Sequence, residues 1–173
     1  MKIGIRWDES GIQMENALDL YAFMLNKEGK CKNNRSIIGP IANYTSSECG
    51  SVIYTSNNSI GQRVYDENKA CETLTVKTDA IPIWCKEIVV VACFFDNTQN
   101  VRKFNDLELF EISVDEKTTF RQAITSPSSA STMIVGNIVL APTKEWMFVE
   151  KYMYMDKNIY SIAGEFNIKL TKE

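Results

Sequence analysis

Ile88–Phe95 reads IVVVACFF. Nothing polar interrupts it, and β-branched residues dominate its first half. Such a run is expected to be a central strand buried on both faces, because a half-exposed strand would alternate. A turn is expected at Asp96–Asn100. Upstream, Glu72–Thr78 does alternate, with Leu74 and Val76 facing in and Thr73, Thr75 and Lys77 facing out, until Pro82 ends it.

Further upstream, Met1–Trp7 places Ile3, Ile5 and Trp7 on one face of a half-buried strand. Ala17–Leu25 puts Leu18, Leu20, Ala22 and Met24 on one face and Asp19, Tyr21, Phe23 and Leu25 on the other. A helix competes for that segment, since Ala and Leu favour helices and short apolar runs are ambiguous. Ile37–Ile38 and Ser51–Tyr54 are short strand candidates. Downstream, Leu107–Val114 is a strand whose pattern changes face between Leu109 and Phe110, which predicts a bulge. Met133–Leu140 and Trp146–Met155 follow, the latter with Trp146, Phe148, Tyr152 and Tyr154 in phase. At that spacing the aromatic set reads as core before it reads as a ligand face. Asn158 is placed to cap a short helix through Ala163, and Gly164 to end it. Phe166–Leu170 alternates as a final strand. Eight to ten strands with no helices between them point to an all-β, two-sheet antiparallel sandwich with one short helix near the C-terminus. Length suits one domain over residues 1–173.

Composition narrows the function. The net charge is −3, and Lys and Arg are scattered. That disfavours nucleic acid and anionic membranes as partners. No apolar run approaches the roughly 20 residues of a membrane span. The start, MKIGIRWDES, meets Asp8 before any long apolar run, so it is not expected to be a secretory leader. Five Cys without a Cys-x-x-Cys spacing, and no His, disfavour a zinc site. Free thiols in a reducing cytoplasm are the expectation. Without His there is no Ser-His-Asp or Cys-His pair, so catalysis is not expected.

The polar stretch inside Thr55–Val76 (TSNNSIGQRVYDENKACETLTV) hangs between two strands, where β-proteins commonly carry function. Asn57, Asn58, Asp66, Glu67 and Glu72 offer the oxygens a hard cation takes. Asp66 and Glu67 read equally as a solvated loop tip. Asp19 reads equally as a strand-end carboxylate bonded to loop backbone. Cys71 is the thiol to watch, since it could meet a metalloid or oxidant if its pKa is lowered, but it reads as a partly buried thiol at a strand start before it reads as a reactive one.

Six segments in order, IGIRWDES, ALDLYAFMLNKEGKC, SNNSIG, ACETLTVKTDAIP, IVVVACFFDNTQNVRKF and TMIVGNIVLAPTKEWMF, span nearly the whole chain. Together they resemble the TerD family of bacterial tellurite-resistance and stress-response proteins, whose domain is shared with slime-mould cAMP-binding proteins. The resemblance implies a sandwich of two antiparallel sheets with a calcium site in loops at one end. It implies metal positions at Asp19, Asn57, Asn58 and Glu72; Asp66 and Glu67 come with a longer spacer, QRVYDENK, and join the expected metal set if that loop folds back. This chain departs from the pattern. Ala17 stands at the first acid of the Asp-Leu-Asp motif, Asn57 at the Asp of Gly-Asp-Asn, and Ala70 and Cys71 at the two Asp of Asp-Asp-Glu. Affinity for calcium falls with ligand charge, so the site is expected to be degenerate, binding calcium weakly or not at all. The function implied is a non-enzymatic binding or scaffold protein of a tellurium-resistance or stress system, in the cytoplasm, with other proteins of that system as partners. A metal-independent protein–protein module is the alternative. An enzyme acting on a small molecule or carbohydrate is the third reading.

Overall fold

The computed structural model describes residues 1–8, 18–40, 44–56, 71–94, 103–107, 109–122 and 129–170. Ten strands are present among them. The first sheet contains β1 (Lys2–Asp8), β4 (Val52–Ser56), β5 (Glu72–Val76), β7 (Leu109–Val114) and β8 (Lys117–Arg121), in the order β4-β5-β1-β7-β8. The second contains β2 (Leu18–Leu25), β3 (Ile37–Ile38), β6 (Glu87–Phe94), β9 (Thr132–Leu140) and β10 (Trp146–Met155), in the order β10-β9-β6-β2-β3. Every pairing is antiparallel. One α-helix among the described residues, α1 (Ile159–Glu165), follows β10.

The apolar runs explain the layers. Between the sheets lie Ile3, Ile5, Leu18, Leu20, Leu74, Val90, Phe110 and their neighbours. A second cluster covers the outer face of the second sheet: Tyr21, Phe23, Val89, Val91 and Ile134 pack under Ile159, Ile162, Ala163 and Ile168. β6 and β2 are therefore buried on both sides, as the unbroken IVVVACFF predicts. Strand wins over helix at Leu18–Leu25 because every residue from Leu18 to Leu25 has a partner on β6. The aromatics of β10 pack against the inter-sheet core. Tyr152 and Tyr154 also donate to Thr119 Oγ1 and Gln122 Oε1, both at 2.7 Å, which ties the two sheets together at the β8/β10 edge.

Three local expectations are corrected, and one strand is added. No register shift occurs between Leu109 and Phe110 on β1. Leu107 belongs to the turn after the 3-10 segment Phe104–Asp106, so its phase does not count, and the shift lies between Ile112 and Ser113 against β8. β8 itself was not legible, because KTTFR has only Phe120 packed on the core. The helix is capped by Asn158, whose Oδ1 accepts the Ser161 N–H at 2.9 Å, but it runs through Gly164 to Glu165. Asn167, at φ 66°, takes the left-handed turn instead. Phe166–Leu170 is not a strand: the Ile168 N–H bonds back to Ala163 O at 2.9 Å. Its alternation is real, since Phe166, Ile168 and Leu170 all pack on the second cluster, but among the described residues no strand pairs with it.

Candidate functional site

Glu72 opens β5 in phase with Leu74 and Val76, so its side chain points between the sheets. It is 2% exposed. Across the gap, β2 runs on past the end of β3, which pairs only with Ala22 and Phe23. The Leu20 N–H on that unpaired edge would be an orphan donor in the core. Glu72 fills the vacancy: Leu20 N–H donates to Glu72 Oε2 at 2.7 Å. Tyr54 O–H, from β4, donates to Glu72 Oε1 at 2.8 Å. Asp19, 7% exposed, lies beside it, accepts the Tyr21 O–H at 3.2 Å and is hydrogen-bonded to Glu72.

Two carboxyls this close and this dry do not both ionise. Desolvation is the main cause that lifts each, Asp19 from the ordinary range to about 7 and Glu72 to about 9. For Glu72 the charge of Asp19 adds to the rise, whereas hydrogen bonds from Tyr21 and Glu72 hold Asp19 lower. The two carboxyls therefore hold one proton between them, hydrogen-bonded to each other. Tyr54 is pushed well up by burial and then by the Glu72 charge. The cluster is a proton-sharing pair with tyrosine donors, binding the β4–β5 side of one sheet to β2 of the other.

Of the six positions expected from the sequence, the structure brings Asp19 and Glu72 together. Asn57, Asn58, Asp66 and Glu67 lie outside the described residues. The connection that carries them leaves from Ser56 and returns beside Glu72, and those two residues are register partners. Tyr54 and Tyr21 were missed as members of the cluster. Tyr54 could have been found: it is two residues from the end of β4, as Leu74 is from the start of β5, and the two are opposite each other. Cys71 is half-buried against the core, with its thiol 3.8 Å from the Trp7 carbonyl, in keeping with a thiol at a strand start.

The sequence model of the TerD domain matches residues 1–166. The chain belongs to the TerD family. The TerD fold is seen in similar solved structures. One is a homologue of the telluride resistance protein TerD from Streptomyces coelicolor A3(2), with TM-score 0.72 and 14% identity, covering 94% of this chain and 93% of that one. Another is SAV2460, described as a protein of unknown function, with TM-score 0.71 and 15% identity over 94% and 92% of the two chains. No curated protein matches the chain in sequence.

Calcium takes six to eight oxygens and several negative charges. The described part of the candidate site supplies two carboxyls, whose oxygens already accept from Leu20, Tyr54 and Tyr21 and which hold a proton between them. No group of three or more His, Cys, Asp or Glu suited to a metal occurs among the described residues. Asp19 and Glu72 alone do not fit calcium.

Proposed function

We propose that this TerD-family chain is a non-catalytic binding or scaffold protein of a tellurium-resistance or stress system, in which the ancestral metal position serves mainly as a structural lock. The observation that carries this reading is the Asp19–Glu72 pair. A dication would have to displace its proton and compete with three hydrogen-bond donors before gaining two ligands. The absence of any His in the chain and the buried state of the carboxyl pair support a non-enzymatic role. All five cysteines are free thiols, which supports a reducing, cytoplasmic setting with other proteins of the same system as partners. No helix among the described residues is long and apolar enough to cross a membrane.

Calcium titration followed by thermal melting tests the reading. A ligand that binds only the native state stabilises it by RT ln(1 + [L]/Kd). At 1 mM calcium a site with Kd of about 1 μM would add about 4 kcal/mol, which raises Tm by roughly 8–16 °C in a chain of this size. The expected rise is below about 2 °C, corresponding to millimolar or weaker binding. A large, saturable rise would overturn the reading.

The alternative, a metal-independent interaction module, is favoured by one feature. Met147, Val149 and Met153 are exposed together on the outward face of β10, the edge strand of the second sheet. An apolar group of this kind on an edge strand is characteristic of contact surfaces.

A further inference from the structure

On the side of the sandwich where β3 and β4 run, a cavity of about 180 Å³ opens between two turns. One turn is the 3-10 segment Asn34–Ser36. Asn33 caps it by accepting the Arg35 N–H at 3.0 Å, which fixes the backbone of Arg35. The other is Ser47–Gly50, closed by the Gly50 N–H to Ser47 O at 2.9 Å and made possible by φ 68° at Gly50. Trp84 forms part of the wall, with Met24 and Pro82 beside it.

The charges at this cavity are unusual for a chain with net charge −3. Lys32 lies 5.8 Å over the Trp84 ring and Arg35 lies 5.5 Å over the Tyr44 ring. Neither has a carboxylate within ion-pair distance among the described residues, and both line the cavity. Glu48, the one acid of the lining, leaves a net positive charge. Two cations held by aromatic faces, next to an apolar wall, match a small ligand with an anionic group and a flat or apolar body.

The fourth element of the cavity is a thiol. Cys49 Sγ is 2.9 Å from Ser51 Oγ and 3.5 Å from Ser47 Oγ. Ser47 Oγ accepts the Val52 N–H at 3.0 Å, so its own proton is free to point toward this group. Partial burial pulls the Cys49 thiol up, but hydrogen bonds from the Ser47 and Ser51 hydroxyls, joined by the Ser51 and Cys49 backbone, outweigh it and hold the thiol below its ordinary range. The neighbouring buried thiols behave oppositely: burial pushes Cys31 up to about 12 and Cys85 to about 11. Of these three thiols, the exposed one that faces the cavity is the one suited to exchange.

We propose that this cavity binds small carboxylate-bearing disulfides and exchanges them onto Cys49. Lys32 and Arg35 take the carboxylate and Trp84 takes the body. Cys49 loses its proton to water, and its sulfur forms a bond to the near sulfur of the ligand as the ligand's S–S bond breaks. The departing sulfur leaves with the electron pair and takes a proton from water. Cys49–SH and RSSR thus become Cys49–SSR and RSH, with the ligand disulfide as oxidant. The volume suits the half of the ligand that stays attached. None of this depends on the carboxyl pair or on calcium.

The test compares two disulfides of opposite charge on the native protein. One is 5,5′-dithiobis(2-nitrobenzoate), which carries two carboxylates; the other is cystamine, a dication. Each rate is divided by that of a small free cysteine derivative, which removes intrinsic reactivity. The normalised ratio of anion to cation is expected to be about tenfold or more in the native protein, and to fall in high salt as exposed charges are screened. Mass spectrometry should place the first adduct on Cys49, and Cys49→Ser should abolish the fast phase. Lys32→Gln with Arg35→Gln, both at solvent-facing positions, should bring the ratio back to that of the free thiol while circular dichroism stays native. A native ratio equal to the reference, a ratio that survives the double substitution, or a first adduct on Cys71 would each overturn the proposal.

Discussion

Glu72 shows how much a single acid can be read two ways. As one of a row of oxygen-bearing residues it looks like a metal ligand. As the residue two before Leu74 it belongs to the inward face of β5, and an inward acid in a core must be neutralised, paired or hydrogen-bonded. The structure supplies all three through Asp19, Tyr54 and the Leu20 N–H. This makes a pH prediction. The folded-state values, about 7 for Asp19 and about 9 for Glu72, lie above those of an unfolded chain. The native state therefore holds more protons across the interval between them. The pair's contribution to stability is complete below about pH 4 and drains as pH rises through the folded values. Glu72→Gln keeps an acceptor for one donor and an N–H for Asp19, but has no proton to lose. Its Tm should vary less between pH 5 and pH 9 than that of the parent, so that its deficit shrinks or reverses on the alkaline side. Parallel Tm curves for the two proteins would show that the pair does not titrate as described. The partnership itself was only half legible. Phase alone could have turned Glu72 inward, but that Asp19 would lie at the same point depends on β2 outrunning β3, which no local pattern reveals.

Among elements, those with a strong apolar period were legible and those without were not. IVVVACFF identifies β6 because burial on both faces leaves no room for a polar residue. KTTFR gives β8 no such mark: its place in the sheet comes from hydrogen bonds to β7, not from a buried face. The hairpin turn that joins them is equally silent. It uses Asp115 and Glu116 at φ 48° and 68°, where Asn-Gly or Asp-Gly is the usual signal. Asp115 has a reason to be there, because its Oδ1 accepts the Lys2 N–H at 2.7 Å. Glu116 has none beyond an exposed ion pair with Lys2 at 3.7 Å, which water and salt screen. Glu116→Gly is therefore expected to stabilise the protein by about 0.5–1 kcal/mol, because glycine enters the left-handed region without the Cβ clash. Chemical denaturation reads this directly. A loss of stability would mean that the entropy glycine adds to the unfolded chain outweighs the strain relieved in the turn. The error at Phe166–Leu170 has the complementary cause: the two-residue period is present, but the face it buries belongs to helix and sheet together, and its backbone bonds to α1 and Cys31.

At the scale of the whole molecule the two sheets are unequal. The first covers one face with core and leaves Arg6, Glu111 and Arg121 on the other, where Glu111 accepts from both arginines. The second is apolar on both faces, and over β2 and β6 its outer face is covered mainly because the chain continues past β10. Phe166 packs on Phe23 with ring centroids 5.1 Å apart, and Ile159, Ile162 and Ala163 sit over Val91 and its neighbours. A sandwich needs only the inter-sheet core to form, so the covering segment is a second layer laid on a sheet whose strands are already paired. A chain ended after Met155 should therefore keep its β-sheet circular dichroism, while Tyr21, Phe23, Val91 and Ile134 become a contiguous apolar surface. Such a surface binds hydrophobic dyes and drives association. Dye fluorescence should rise severalfold over the full-length protein, and sedimentation should show oligomers that grow with concentration. A truncated chain that stays monomeric and dark to the dye would show that the outer cluster rearranges to bury itself without α1. A chain that loses its sheet altogether would show that the two clusters fold as one cooperative unit, in which case β2 and β6 depend on both of their packed faces to stay ordered.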